Sequence, residues 1–222
     1  VAPRLALGDL KIPVSHGWLE AALKEPEGAP RGAAVVCHPH PVFGGTMHTK
    51  AVYRSAQAFN QAGLVALRFN FRGVGISTGS HDQGIGERDD VRAALDWLED
   101  RYPTLPLVVG GFSFGSMVGF GVGVEDDRVV AMLGLGLPLV RDEYDYGFLA
   151  GTDKPVLVVQ GEEDEFGSGL LAAELLGPMG PHITLVRIAD ADHYFTGRLE
   201  ALRQTVEGYY SSGPGARILA VV

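Results

Sequence analysis

Three residues of this chain have the types needed for nucleophilic catalysis: Ser113, Asp164 and His193. A serine hydroxyl becomes a nucleophile when a base takes its proton, and the base must be oriented by an acid. Ser113 is the centre of GFSFG (111–115), a G-x-S-x-G pentapeptide of the kind that forms a strand-to-helix elbow. The pattern alone is weak. With 31 Gly in 222 residues, a chance match has a probability of roughly 0.2. A second match is present, GISTG (75–79) around Ser77.

The flanking elements separate the two serines. LVVGGF precedes Ser113 as a buried strand, and FGSMVGFGVG follows it as a helix, although its glycines make it a poor helix former. Ser77 has loop sequence after it, and its strand ends several residues earlier. It reads as a loop serine bonding the local backbone.

Six apolar runs read as strands: AAVVCH (33–38), LVALRFNF (64–71), LVVGGF (107–112), VVAMLGLGL (129–137), PVLVVQG (155–161) and ITLVRI (183–188). Near-continuous runs of branched residues suit a parallel sheet buried on both faces. Helices are expected over 48–63, ending on Gly63, and over 87–103, with others at 168–177 and 195–210. The alternation predicts an α/β fold, with a mostly parallel, doubly wound sheet and helices on both faces. RLALGDLKIPV (4–14) and GWLEAALKEP (17–26) could pair antiparallel at an edge. The tail SSGPGARILAVV (211–222) reads as an apolar strand that extends the sheet edge, pairs with another chain or frays. A homodimer is the partner it suggests.

Asp164 follows the strand 155–161, 51 residues after Ser113, and His193 follows the strand 183–188, 29 residues later. Both fall beyond the carboxyl ends of strands, where open α/β sheets place their sites. Glu162, Glu163 and Glu165 share the acid's loop and read as solvated. Asp190 and Asp192 are too close in sequence to His193 to reach its far ring nitrogen easily. Acyl transfer also needs two backbone N–H donors for the oxyanion. Phe114 supplies one. In CHPHPVFGGTMHTK (37–50), Pro39 and Pro41 lack an N–H, so His40 between them supplies the other. The two histidines of HPH raise metal binding as a rival, with no acidic or thiol cluster to complete a site. Cys37 reads as a buried small hydrophobe rather than a nucleophile.

Composition narrows the classes. Net charge is −9, hydrophobic residues make up 46% and charged residues 20%. This describes a globular chain, expected as one domain over 1–222. No basic cluster supports nucleic-acid binding, and no apolar run is long enough to span a membrane. The single cysteine precludes an intramolecular disulfide. The sequence starts at Val1 without a basic-then-apolar leader pattern, and the expected compartment is the cytoplasm.

HPHPVFGGTM, RFNFRGVGIS, GFSFGSM, the Asp-Glu-Phe of GEEDEF, and DHYFTGRL together resemble the small dienelactone-hydrolase-like α/β-hydrolases, from about residue 32 to 203. The resemblance implies an α/β-hydrolase fold, a Ser113–Asp164–His193 triad, and an oxyanion hole at His40 and Phe114. It implies no metal or organic cofactor. Dienelactone hydrolases proper carry a cysteine nucleophile where this chain has Ser113, so lactone opening is not carried over. ADAD (189–192) before His193 is more acidic than the family's turn. Between Leu137 and Pro155 only 17 residues intervene, too few for a lid domain. The expected substrate is therefore a small carboxylic ester, with Phe43, Pro138, Val140, Tyr144, Phe148 and Tyr194 as acyl-pocket residues. Core packing is the competing role for each. The same machinery fits a thioesterase, peptidase or acyltransferase. From another class, a non-catalytic binding protein could keep the fold.

Overall fold

The computed structural model describes residues 10–141 and 144–220. Eight strands form one sheet: β1 Leu10–Val14, β2 Gly17–Lys24, β3 Gly32–Cys37, β4 Leu64–Phe69, β5 Leu107–Phe112, β6 Val129–Leu135, β7 Val156–Gly161 and β8 Ile183–Ile188. Their spatial order is β1-β2-β4-β3-β5-β6-β7-β8. The run from β4 to β8 is parallel, and β1–β2–β4 is antiparallel. Every residue of β3, β4, β5 and β7 is buried. That explains their continuous apolar sequence, because both faces carry helices.

The helices are α1 Lys50–Gln61, α2 Ile85–Arg101, α3 Phe114–Glu125, α4 Gly169–Leu176, α5 Leu199–Ser211 and α6 Pro214–Ile218. Phe59 of α1 and Leu202 and Tyr210 of α5 belong to the core on one face. Leu95 and Leu98 of α2, Phe120 of α3 and Leu176 of α4 belong to the core on the other. Two cores divided by a mostly parallel sheet make an α/β-hydrolase fold. Among the described residues, no helix is long and apolar enough to cross a membrane.

Two expectations change. Over 211–220 the tail forms no edge strand. Pro214 opens a short helix, a position where its missing N–H and fixed φ fit. Leu219 then tucks, 6% exposed, into the α1–α5 core. Over 214–219 the chain folds back onto its own α1–α5 core. Helix α5 also starts later than 195. Phe195 has φ 56°, and the Thr196 N–H donates to the Asp192 carboxylate at 2.8 Å. These residues form a tight turn before the helix. The antiparallel edge pair is present from residue 10 onward. Residues 4–9 of its first strand and 221–222 of the tail lie outside the described residues.

Candidate active site

Ser113 stands between β5 and α3 with φ 55° and ψ −122°, a conformation non-glycine residues rarely adopt. Its N–H donates to the Leu135 carbonyl at 2.9 Å, which ties the turn to β6. The two glycines of the pentapeptide make the turn possible. A Cβ on Gly111 would lie 2.2 Å from the Gly115 carbonyl oxygen, and one on Gly115 would lie 2.5 Å from the His38 oxygen. Only bare backbone fits at either position.

His193 reaches Ser113 from the β8–α5 loop. Its Nε2 lies 3.1 Å from Ser113 Oγ, and its Nδ1 lies 3.0 and 2.9 Å from the two Asp164 oxygens. A carboxylate only accepts, so Nδ1 carries the proton and Nε2 presents its lone pair to the hydroxyl. His193 is 4% and Asp164 3% exposed. The imidazole is held by Phe112, Phe166 and Tyr194, with ring centroids at 4.9, 4.7 and 5.3 Å. Asp164 is fixed in turn by the Phe166 N–H at 2.8 Å and the Gln160 Nε2 amide at 2.9 Å. The buried Gln160 also bonds the Leu137 and Gly167 backbone. Sequence reading passed over it, since a lone glutamine ending an apolar strand carries no pattern.

The neighbouring acids have other duties. Asp190 pairs with Arg198, Glu162 with Arg187, and the Glu165 carboxylate accepts the His193 backbone N–H at 3.3 Å. Bonding to the Thr196 N–H holds the Asp192 carboxyl below the usual range. Ser77, the other G-x-S-x-G serine, is a structural brace. Its Oγ donates to the Asn70 carbonyl and accepts the Glu20 N–H, partners well beyond its own turn.

That brace supports the loop carrying His40. Met47 is gripped at both backbone groups, its N–H by Asn70 Oδ1 at 2.8 Å and its carbonyl by Arg68 at 2.6 Å. His38 is fully buried; its Nδ1 donates to the Pro39 carbonyl at 2.6 Å and its Nε2 accepts the Phe71 N–H at 3.0 Å. With both nitrogens given to backbone, His38 is not a metal ligand. Within the HPHP segment, His40 caps the turn Pro41–Phe43, and its ring packs 4.9 Å from that of Phe114. The Phe114 N–H belongs to the first turn of α3, which has no acceptor within the helix. Cys37 is fully buried beneath this loop, and burial, then the nearby Asp90, raises its thiol far above the usual range.

Burial pushes His38 from its ordinary 6.5 down to about 4. Below pH 6.5 the unfolded chain takes up a proton there that the folded chain refuses, so stability falls as pH drops from 6.5 towards 4. The loss over that window is roughly 3 kcal/mol at most. Urea unfolding at stepped pH should give a His38→Asn protein a shallower decline by about one proton. Parallel declines in the two proteins would show that His38 is not the group responsible.

Ser113 and His193 open into a cleft of about 490 Å³, within the range of small-ligand sites. Phe43, Pro138, Tyr144 and Tyr194 line it, as expected, together with His40. Two expected pocket residues do not. Val140 is exposed, its N–H bonded to the Phe166 carbonyl, and Phe148 lines a different cavity. Phe166, Thr49 and Arg141 line the cleft without having been singled out in the sequence.

Residues 34–208 match the family described as alpha/beta hydrolase domain. An uncharacterized protein of Rickettsia prowazekii is 32% identical over 183 residues, 79% of this chain and 77% of that protein. An alpha-beta serine hydrolase homologue from Coxiella burnetii is 33% identical, with a TM-score of 0.83 over 89% of this chain and 94% of its own. A serine hydrolase without lid from Xanthomonas campestris is 32% identical, with a TM-score of 0.81 over 94% of this chain and 93% of its own.

Proposed function

The chain belongs to the alpha/beta hydrolase domain family, and from that premise we propose that it hydrolyses small carboxylic esters through an acyl-enzyme on Ser113. The observation that carries this reading is the continuous chain Ser113 Oγ–His193–Asp164, closed at 3.1 and 2.9 Å at the wall of the cleft. His193 takes the Ser113 proton as Oγ attacks the ester carbonyl, and Asp164 orients the ring and steadies its positive charge. The N–H groups of Phe114 and His40 serve the oxyanion. His193 then protonates the departing alcohol and activates the water that releases the acid. Every proton in this cycle has a carrier in the chain, so no cofactor is required.

The likeness to lidless serine hydrolases supports an open site. The five sequence motifs support a place among the dienelactone-hydrolase-like members, and one continuous sheet supports taking 1–222 as one domain. The residues do not encode the leaving group, so oxygen esters and thioesters must be compared directly. Treatment with a fluorophosphonate followed by peptide mapping should place one adduct on Ser113. Ser113→Ala should abolish it and lower kcat on a nitrophenyl acetate by roughly a millionfold. A folded protein that takes up no label would move the binding-protein reading to first place.

A further inference from the structure

A second cavity, of about 450 Å³, lies along α3 and shares Tyr144 with the cleft. Its floor is made by Phe114, Met117, Val118, Gly121, Val124 and Glu125. Their spacing repeats the turn of a helix, so they form one stripe along α3. The stripe starts at the residue after Ser113 and runs about 17 Å at the helical rise. Ile85 and Arg88 of α2 form one wall, and Tyr144 and Phe148 the other.

The stripe is apolar where a surface helix ordinarily shows charge. Met117, Gly121 and Val124 are only partly buried, and α3 carries no charged residue before Glu125. Ile85, facing them from α2, is 73% exposed. From Gly121 onward the Arg88 guanidinium crosses the stripe, donating to the Gly121 carbonyl at 2.9 Å and pairing with the Glu125 carboxylate at 2.7 Å. The groove is therefore an apolar track with one end beside the elbow and the other closed by an ion pair.

We propose that this groove holds the distal part of a linear acyl chain whose ester carbonyl sits at Ser113. The inference rests on the hydrolase reading above and widens its substrate class from small esters to medium-chain, unbranched acyl esters. Three features select this occupant. The track begins at Phe114, whose N–H faces the proposed oxyanion, and Tyr144 borders both cavities. The Arg88–Glu125 pair sets a limit, since a longer chain would have to strip water from it.

The test is a chain-length series of 4-nitrophenyl esters, from acetate through butyrate and octanoate to laurate, at concentrations below micelle formation. The wild-type kcat/KM should rise at least tenfold from butyrate to octanoate, each buried methylene being worth roughly threefold to fourfold, and level off by laurate. Met117→Trp and Gly121→Leu each fill the track, and each should flatten the octanoate-to-butyrate ratio by about tenfold. A Cβ at Gly121 would first meet the Arg88 guanidinium at 3.2 Å, the end of a long side chain rather than backbone, so this second variant is compatible with folding. A wild-type rate that falls beyond butyrate overturns the proposal. So do variants that keep the wild-type ratio, or that change sedimentation mass with the ratio intact, which would mean a second copy of the chain covers the stripe. Cleavage of acetate with a Ser113 fluorophosphonate adduct but no chain-length gain refutes the acyl track alone. Absence of both adduct and turnover refutes the hydrolase reading beneath it.

Discussion

Asp164→Asn is expected to lower kcat/KM about ten-thousandfold while leaving the fold intact. The carboxylate is boxed in by donors: His193 Nδ1, the Phe166 N–H and the Gln160 amide. An asparagine of the same shape must place its own N–H₂ somewhere in that box. Facing Gln160 it opposes a donor with a donor. Facing His193 it forces Nδ1 to accept, which moves the ring proton to Nε2 and turns it towards Ser113 Oγ. In that tautomer the imidazole cannot take the serine proton. The fluorophosphonate adduct should then form several thousand times more slowly, with the unfolding midpoint within a few degrees of the wild type. A near-normal labelling rate would mean that Asp164 is only packing. Collapse of the fold would instead assign it to the Gln160 hydrogen-bond network.

The contrast between Asp164 and its neighbours shows how much of the site is legible in sequence. Strand ends can be read from apolar runs, and a loop that follows a parallel strand must open at one edge of the sheet. Order and position alone therefore bring Ser113, Asp164 and His193 to one edge of the sheet, where their side chains lie within hydrogen-bond distance of one another. Residues facing a cavity from a non-repeating segment are not, because no period tells which side chain turns inward. Val140 and Phe148 are expected beside Tyr144 for that reason, but Val140 faces solvent and Phe148 lines the groove along α3. Phe166 and Gln160 act through contacts formed only when β7, its loop and the His193 loop come together. The tail misled for a different reason. Branched residues favour strands, but Pro214 at a helical first position and the burial of Leu219 in the core outweigh that preference.

The motif RFNFRGVGIS acquires its meaning from the same assembly. As sequence it marked a family. In the fold, Arg68, Asn70, Phe71 and Ser77 reach the 38–49 loop or the strand beside it, and none of them touches the cleft. The loop that carries His40, the proposed oxyanion donor, is thus held from behind by a second loop, through His38. Preorganised donors stabilise a developing charge without reorganising during the reaction. Rigidity in this bracket, built from prolines 39 and 41 and from a histidine kept neutral by burial, is what the proposed chemistry requires.

Gly115→Ala should be strongly damaging to both stability and turnover, although helix propensity alone predicts the reverse. In an open helical position alanine is favoured over glycine by about 1 kcal/mol. Gly208 of α5 is such a position, with nothing within 4 Å of an added Cβ, and Gly208→Ala should stabilise the protein by about that amount. At Gly115 the added methyl would lie 2.5 Å from the His38 oxygen and 2.7 Å from the Cys37 oxygen. Both are backbone atoms of a buried strand and its loop, and neither can rotate away. Relief requires α3 to lift from β3, along the face where Gly119 and Gly123 also meet Val109. The expected cost is about 3 kcal/mol or more. Lifting the start of α3 also withdraws the Phe114 N–H from the oxyanion, so protein that remains folded should lose a further hundredfold to thousandfold in kcat. Urea unfolding of the two alanine variants, with esterase rates measured in the folded baseline, separates the two effects. If Gly115→Ala proved as stable as Gly208→Ala, the close contact between α3 and the oxyanion loop would be wrong, and with it the proposal that the elbow positions both Ser113 and its donor.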